Sequence, residues 1–233
     1  MDGMTLKEAR LGRKWSQQQA ARRLGVTQAY LSMMEKGRRA VPQPFVRKAL
    51  KALKLPATAL PLPSEDRLLR VEQAKHDFSA ELGSLGYPGF AYLAKKTKVN
   101  PALLLFDALN EADLDSRVAE GLPWLALKYA DMDWNWLVRN ARVSNRQNRL
   151  GFAVALAVEL ANPDSPSDGS RLQKLRDCLL SLEASRLAGE DTFCHESMTD
   201  TERAWLRETR SSVAAHWNLL TDLRKEHLAY ASK

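Results

Sequence analysis

The sequence predicts an all-α protein, with a small N-terminal domain followed by a larger C-terminal multi-helix bundle. Apolar residues recur at spacings of three and four along most of the chain, and capping residues precede many of these segments. No segment shows the alternation of apolar and polar residues that is typical of a half-buried strand. A proline-rich linker, residues 57–66, separates residues 1–56 from residues 67–233.

Charge is distributed unevenly between the two parts. Residues 1–60 contain 13 Lys and Arg against 3 Asp and Glu, a net charge of +10, and the rest of the chain brings the total to +7. A basic segment joined to a slightly acidic one indicates that the first faces phosphate groups and that the second faces a different partner.

The most specific pattern of the chain is the stretch SQQQAARRLGVTQAYLSMMEKG, residues 16–37. Ser16 and Thr27 are suitable N-cap residues, and each precedes a short helical segment. Gly25 lies between these segments, where the end of a helix often needs a positive φ. Two adjacent alanines in the first segment allow the second helix to approach closely. This is the geometry in which the second helix enters the DNA major groove, and the alternative is a plain helical hairpin within a bundle.

These residues resemble the helix-turn-helix of phage-repressor (Xre/Cro-type) transcriptional regulators, and the resemblance extends over residues 4–56. It implies that Arg10 and Glu35 form a structural ion pair, that Trp15 is a core residue, and that Pro42 lies in the first turn of a fourth helix. It also implies a homodimer that binds a pseudo-palindromic operator on double-stranded DNA. The C-terminal region resembles no family that we recognise.

Candidates for DNA contact lie in and around the second helix of the pair. Gln28 begins that helix, where its amide is suited to adenine N6 and N7. Gln17 is suited to contact with the DNA backbone, and its amide also to bracing Gln28. Ala29 is suited to a thymine methyl group. The remaining candidates are the outward-pointing Tyr30, Ser32 and Met33 and the phosphate-binding Lys36, Arg38 and Arg39.

The C-terminal region is predicted to contain seven to nine helices, as an irregular bundle or as stacked pairs. The predicted segments are 67–82, 90–96, 101–109, 113–129, 133–141, 144–161, 170–187, 204–209 and a last one from 212 into the tail. Segment 113–129 is expected to be interrupted near Pro123. Asn100, Asp133, Ser144 and a capping box at residues 199–202 are the predicted N-terminal signals.

A partner surface is the functional hypothesis for this region. Two tryptophans are two residues apart on one helix and therefore cannot both face the same core, and four arginines are spaced three, four and three. If the helix is continuous, the arginines form one basic stripe; the alternative is a solvated face paired with local acids. The candidate partner-binding residues are Trp134, Trp136, Arg139, Arg142, Arg146 and Arg149.

No catalytic or metal-binding constellation is evident from the residues. His195 begins a sequence similar to the zinc-protease HExxH pattern, but the position four residues on is Thr199. Cys178 and Cys194 lack the close pairing of metal ligands, and two cysteines fit a reducing compartment. We therefore expect no enzyme activity, no metal and no cofactor. The absence of a signal-peptide core and of a membrane-spanning run predicts a cytoplasmic protein that does not contact the membrane.

The sequence therefore predicts a DNA-binding transcriptional regulator, most simply a repressor, whose C-terminal region controls DNA occupancy. Two hypotheses account for that control. In the first, the region binds a protein partner, for instance a cognate toxin if the chain is the autoregulating antitoxin of a toxin–antitoxin operon. In the second, it forms a pocket for a small-molecule effector. An exposed apolar surface with tryptophan favours the first, and a closed cavity with a few polar groups favours the second.

Overall fold

The computed structural model describes residues 3–63, 76–96, 98–162, 165 and 168–228. The chain divides into two compact units, Met1–Ser64 and Glu65–Lys233. Both units are built almost entirely from helices, which confirms the predicted all-α class. The first nine residues of the predicted helix 67–82 lie outside the described ranges.

The N-terminal unit packs its helices around a small apolar core. The helices are α1 (Gly3–Gly12), α2 (Gln17–Leu24), α3 (Gln28–Glu35) and α4 (Gln43–Leu53), followed by a 3-10 turn (Ala57–Ala59). The core residues are Leu6, Ala20, Ala21, Leu24, Leu31, Met34, Phe45, Ala49 and Leu53. Ala20 and Ala21 of α2 are buried, and their small side chains let neighbouring helices approach closely. Trp15 is half-buried and packs against the same core.

The caps of α2 and α3 form as the sequence predicts. Ser16 Oγ accepts from the Gln19 amide at 3.1 Å, and the Ser16 amide donates to Gln19 Oε1 at 2.9 Å, which completes a capping box. Gly25 ends α2 with a φ of +66°. Thr27 Oγ1 accepts from the Tyr30 amide at 3.2 Å at the start of α3. Local residue types therefore determine both ends of the turn between α2 and α3.

The C-terminal unit is a bundle with one short strand pair. Its helices are α5 (Phe78–Leu85), α6 (Pro101–Asn110), α7 (Ser116–Lys128), α8 (Trp134–Val143), α9 (Gln147–Leu160), α10 (Asp168–Glu183), α11 (Asp200–Thr209) and α12 (Ser212–His216), with 3-10 segments at Pro88–Leu93 and Lys225–His227. Strands β1 (Asp191–Thr192) and β2 (Leu219–Leu220) pair in parallel. The predicted caps Asn100 and Asp133 and the capping box of Thr199 with Glu202 are confirmed.

Helix α9 is the centre of this bundle, where it packs against α7 and α10. From Leu150 to Val158 its residues are apolar on all sides, and Leu150, Phe152 and Val154 are fully buried. At Gly151 the helix also receives the ring of Trp217, since a Cβ at this position would lie 2.4 Å from a ring atom. The glycine is therefore needed for the close approach of an aromatic ring to the helix backbone.

Helix α7 runs through Pro123 without the predicted interruption. Proline removes one backbone hydrogen bond from a helix, but the residues around it, Leu122, Trp124 and Leu125, are buried in the bundle core. The prediction was wrong because tertiary packing of these apolar side chains outweighs the local cost of the proline.

Three further predictions of helix ends were wrong. Ser144 was predicted to begin a helix, but its hydroxyl donates to the Asn140 carbonyl at 3.0 Å and it lies at the end of α8, so that α9 begins at Gln147. The last helix was predicted to continue into the tail, but α12 ends at His216 because the next residues pair with β1. In the fourth helix Pro42 is the N-cap residue and Pro44, not Pro42, lies in the first turn.

Candidate nucleic-acid interface

The solvent-exposed face of helix α3 contains both polar and apolar side chains. Leu31, Met34 and Glu35 are buried. On the opposite side of the helix, Ala29 and Met33 are exposed, and so are the predicted contact residues Gln28 and Lys36 at its two ends, while Ser32 is half-buried. The structure therefore places the predicted base-reading candidates on one accessible strip of a short, capped helix.

Tyr30 lies at the edge of this strip. It is half-buried and packs against the core of the N-terminal unit. An open hollow of about 460 Å³ adjoins its ring on the side of α4 and is lined by Val26, Thr27, Tyr30, Pro42, Pro44 and Phe45.

A buried ion pair holds α3 against α1. Arg10 Nε donates to Glu35 Oε1 at 2.6 Å and its second terminal nitrogen to Glu35 Oε2 at 3.0 Å, which confirms the predicted pair. Arg10 also donates to the Trp15 carbonyl at 2.8 Å. The side-chain amide of Gln17, suggested above to brace Gln28, instead donates from Nε2 to Glu35 Oε2 at 2.9 Å. Glu35 thus connects three elements and its charge is not presented to solvent.

The loop after α3 carries exposed cations. The amides of Arg38 and Arg39 both donate to the Met33 carbonyl, at 2.9 and 3.3 Å, and this anchors the loop to the helix end. The Arg39 guanidinium lies over the Tyr30 ring, with its carbon 4.8 Å from the ring centre. Arg38, Arg39 and Lys36 are all exposed, so positive charge continues from the accessible strip into the loop.

Comparison with known proteins identifies this unit. A family model described as helix-turn-helix matches residues 6–60, an N-terminal segment of the chain. No curated protein matches the chain. No solved structure matches it either.

The N-terminal unit is a helix-turn-helix domain of the Xre/Cro type. Domains of this type bind DNA and regulate transcription, so the chain carries the DNA-binding domain of a transcription regulator. In such domains the second helix of the pair, here α3, enters the major groove. The matched segment ends before α5, and the function of the C-terminal unit must be argued from its own residues.

The basic stripe of the C-terminal unit was expected only if one continuous helix carried all four arginines, and it does not form. Helix α8 ends at Val143, so Arg139 and Arg142 lie on a different helix from Arg149. Arg142 donates to the Ser181 carbonyl on α10. Arg149 has no exposed side-chain surface, and Arg146 lies within 3.3 Å of the same two carboxylates that bind Arg149. Most of these arginines therefore stabilise the fold.

The buried Arg149 is the centre of a hydrogen-bond network that sequence reasoning missed. Its guanidinium donates to both oxygens of Asp191, at 2.8 and 2.9 Å, and to Glu196 at 2.8 Å. It also donates to the Leu109 and Glu111 carbonyls at the end of α6, at 3.1 and 2.9 Å. All five guanidinium N–H groups thus have oxygen acceptors. Burial alone would raise the pKa of Asp191, but hydrogen bonds from Arg149 and its charge lower that pKa below its usual value.

The two tryptophans of α8 differ in burial, and neither is exposed. Trp136 is buried and packs edge-on against Phe106, and Trp134 is half-buried with its ring nitrogen donating to the Ala130 carbonyl at 3.0 Å. The exposed tryptophan is instead Trp205 on α11, with 56% of its surface accessible. Helix α8 contacts α6, α9 and α10, which accounts for the burial of its two tryptophans.

A titratable cluster lies at the start of α5. The two ring nitrogens of His76 lie 3.4 Å from Glu81 and 3.4 Å from Asp107. Burial raises the pKa of Glu81, and it raises the pKa of Asp107 to about 6.

Among the described residues, no group of three His, Cys, Asp or Glu is arranged to hold a metal ion. Cys178 and Cys194 are buried, and burial raises the pKa of both thiols.

The C-terminal unit also has a shallow hollow between α9, α10 and α12. It measures about 260 Å³, is open to solvent, and is lined by Ala155, Leu179, Glu183, Ser212, Val213, His216 and Trp217. Within the ranges that the structure covers, no helix combines the length and the apolar character needed to cross a membrane.

Proposed function

We propose that the chain is a repressor that reads a specific operator through the accessible strip of α3. One observation carries the proposal. Glu35 is the single acidic residue in the sequence from the end of α1 to the end of α4, and its side chain is buried, with 5% of its surface exposed. The exposed residues of α3 are uncharged up to Lys36, and the exposed cations Arg38 and Arg39 follow in the next loop. Such a surface binds phosphates at its edges and base edges at its centre.

The proposed contacts keep the roles that their positions allow. Gln28 reads a base, Ala29 and Met33 contact apolar base edges, and Ser32 bonds to a base or phosphate. Gln17, Lys36, Arg38 and Arg39 contact the DNA backbone, and Tyr30 borders the strip. Because one such domain covers few base pairs, specific binding requires two copies on a pseudo-palindrome. We therefore propose that the chain binds DNA as a homodimer.

Substitution of Gln28 by alanine tests this proposal. The full chain first selects its operator from a random duplex library, and its affinity for that operator is then measured over a range of salt concentrations. We expect wild-type affinity to fall steeply with salt, because phosphate contacts release counterions. Gln28→Ala should weaken operator binding by about 1–3 kcal/mol and relax the choice of one base. A flat salt response would contradict DNA binding, and unchanged affinity would exclude Gln28 from base reading.

For the C-terminal unit we propose a protein-binding role. Large apolar side chains are exposed on several of its elements, including Tyr92, Val143, Leu180 and Trp205. An exposed aromatic residue favours a protein partner. The hollow between α9, α10 and α12 is open and lies below the roughly 300–1,000 Å³ of typical small-molecule sites. These features support a partner such as a cognate toxin over a small-molecule effector.

Co-purification tests the protein-binding role. The tagged chain is expressed with the products of its neighbouring genes, and bound proteins are identified by mass spectrometry and weighed by light scattering. We expect a stoichiometric complex that Trp205→Ala weakens and that Lys128→Ala, at an exposed polar position on α7, does not. A bare homodimer that no neighbouring product joins would contradict the proposal and favour an effector.

A further inference from the structure

Arg39 contacts α3 through both its backbone amide and its guanidinium. Its backbone amide donates to the Met33 carbonyl at 3.3 Å, and its guanidinium carbon lies 4.8 Å from the centre of the Tyr30 ring. Tyr30 precedes Met33 by three residues, which is about 4.5 Å along a helix axis. The Arg39 side chain therefore runs back along α3, from its last turn toward the half that begins with Gln28.

The Tyr30 ring is a fixed support for this arginine. The ring packs against the core of the helix-turn-helix domain, and the Tyr30 amide is bonded to the Thr27 cap. Arg39 is exposed, so its charge remains accessible while its guanidinium lies over the ring. A guanidinium that stacks on an aromatic face keeps its N–H edge available for a phosphate.

We propose that Tyr30 is a positioning residue, whose ring holds the Arg39 guanidinium in place to bind a DNA phosphate beside the groove that α3 enters. An exposed arginine loses rotamer freedom when it binds, and a side chain that is already held loses less. Tyr30 thus acts on affinity through Arg39 rather than through a DNA contact of its own. This inference rests on the DNA-binding function proposed above.

The same domain contains a second stack that serves as a comparison. The Arg23 guanidinium on α2 lies over Trp15, with its carbon 4.3 Å from the ring centre. This pair shares no residue with the first. Removal of Arg23 therefore leaves the support of Arg39 intact.

A double-mutant cycle on the full chain tests the inference, with binding to the selected operator measured by fluorescence anisotropy at several salt concentrations. Tyr30→Leu should weaken binding about two- to fivefold and leave the salt slope unchanged, because no charge is lost. Arg39→Ala should lower the slope by about 0.9, as expected for one lost phosphate contact. In the Arg39→Ala background, Tyr30→Leu should cause no further loss. Tyr30→Phe, which keeps the ring, should bind within about twofold of wild type.

The matched control combines Tyr30→Leu with Arg23→Ala, and we expect these two effects to add. If Tyr30→Leu weakens binding equally with and without Arg39, Tyr30 acts independently of the arginine and the inference is overturned. If Tyr30→Leu lowers the unfolding temperature, Tyr30→Met replaces it in the cycle. A wild-type chain that shows no salt-dependent binding would contradict the proposed function itself, whereas normal wild-type binding with an additive cycle would contradict only the role of Tyr30.

Discussion

Replacement of Arg149 by methionine should lower the free energy of unfolding of the C-terminal unit by about 3–5 kcal/mol. The substitution keeps much of the side-chain volume but removes five hydrogen bonds. It removes the central partner of Asp191 and Glu196, which Arg146 contacts only at 3.3 Å, and it removes the Arg149 donor from two carbonyls at the end of α6. Chemical denaturation followed by tryptophan fluorescence measures this loss, because Trp15 is the single tryptophan outside the C-terminal unit.

Arg176→Met on α10 is the matched control, since Arg176 is exposed, and it should change stability by less than about 0.5 kcal/mol.

Acid titration adds a second readout of the Arg149 network. Because the pKa of Asp191 is lowered in the folded chain, its contribution is present above its unfolded pKa and is lost as the pH falls toward the folded value. Arg149→Met should therefore lose less stability in that acid range than wild type. A stability loss below about 1 kcal/mol would show that the network is not needed for the fold.

Replacement of Arg10 by methionine should abolish DNA binding although Arg10 makes no proposed DNA contact. The change leaves the buried Glu35 carboxylate without its partner, at a cost of about 3–5 kcal/mol. A unit the size of Met1–Ser64 has a total stability of only about 3–10 kcal/mol. Hydrogen exchange of peptides from this unit, measured in the full chain, should show loss of protection in α1 and α3 together with the loss of operator binding.

Lys7→Met provides the control for this experiment. Lys7 is exposed on α1, less than one turn before Arg10, and its substitution removes one positive charge without touching Glu35. We expect normal protection from exchange and, at most, a small loss of affinity. An Arg10→Met chain that keeps wild-type protection and operator binding would show that the ion pair is not required for the domain.

The helix-turn-helix could be predicted from the sequence because its signals are local. Ser16 and Thr27 cap the helices that directly follow them, and Gly25 supplies the positive φ at the helix end. Each of these residues forms its hydrogen bonds within five positions along the chain, so the local sequence is enough to predict where the helices begin and end. The Arg10–Glu35 pair spans 25 residues, and it was inferred from resemblance to a known family rather than from local pattern.

The errors have a common physical cause. Arg149 occurs at helical spacing from Arg142 and Arg146, and that spacing alone predicts a solvent-facing stripe. Its acceptors, Asp191 and Glu196, follow 42 and 47 residues later, beyond the reach of any local pattern. Pro123 lies in a continuous helix for a related reason, since the burial of its neighbours depends on helices far away in the sequence.

The sequence by itself determined the helical class, the charge division and the DNA-binding domain, because periodicity, caps and composition act over a few residues. Only the tertiary structure decided which arginines are buried, that Trp205 is exposed, and that Arg39 lies over Tyr30. Burial and charge pairing depend on which distant segments come together, so no single stretch of the chain determines the free energy of those contacts.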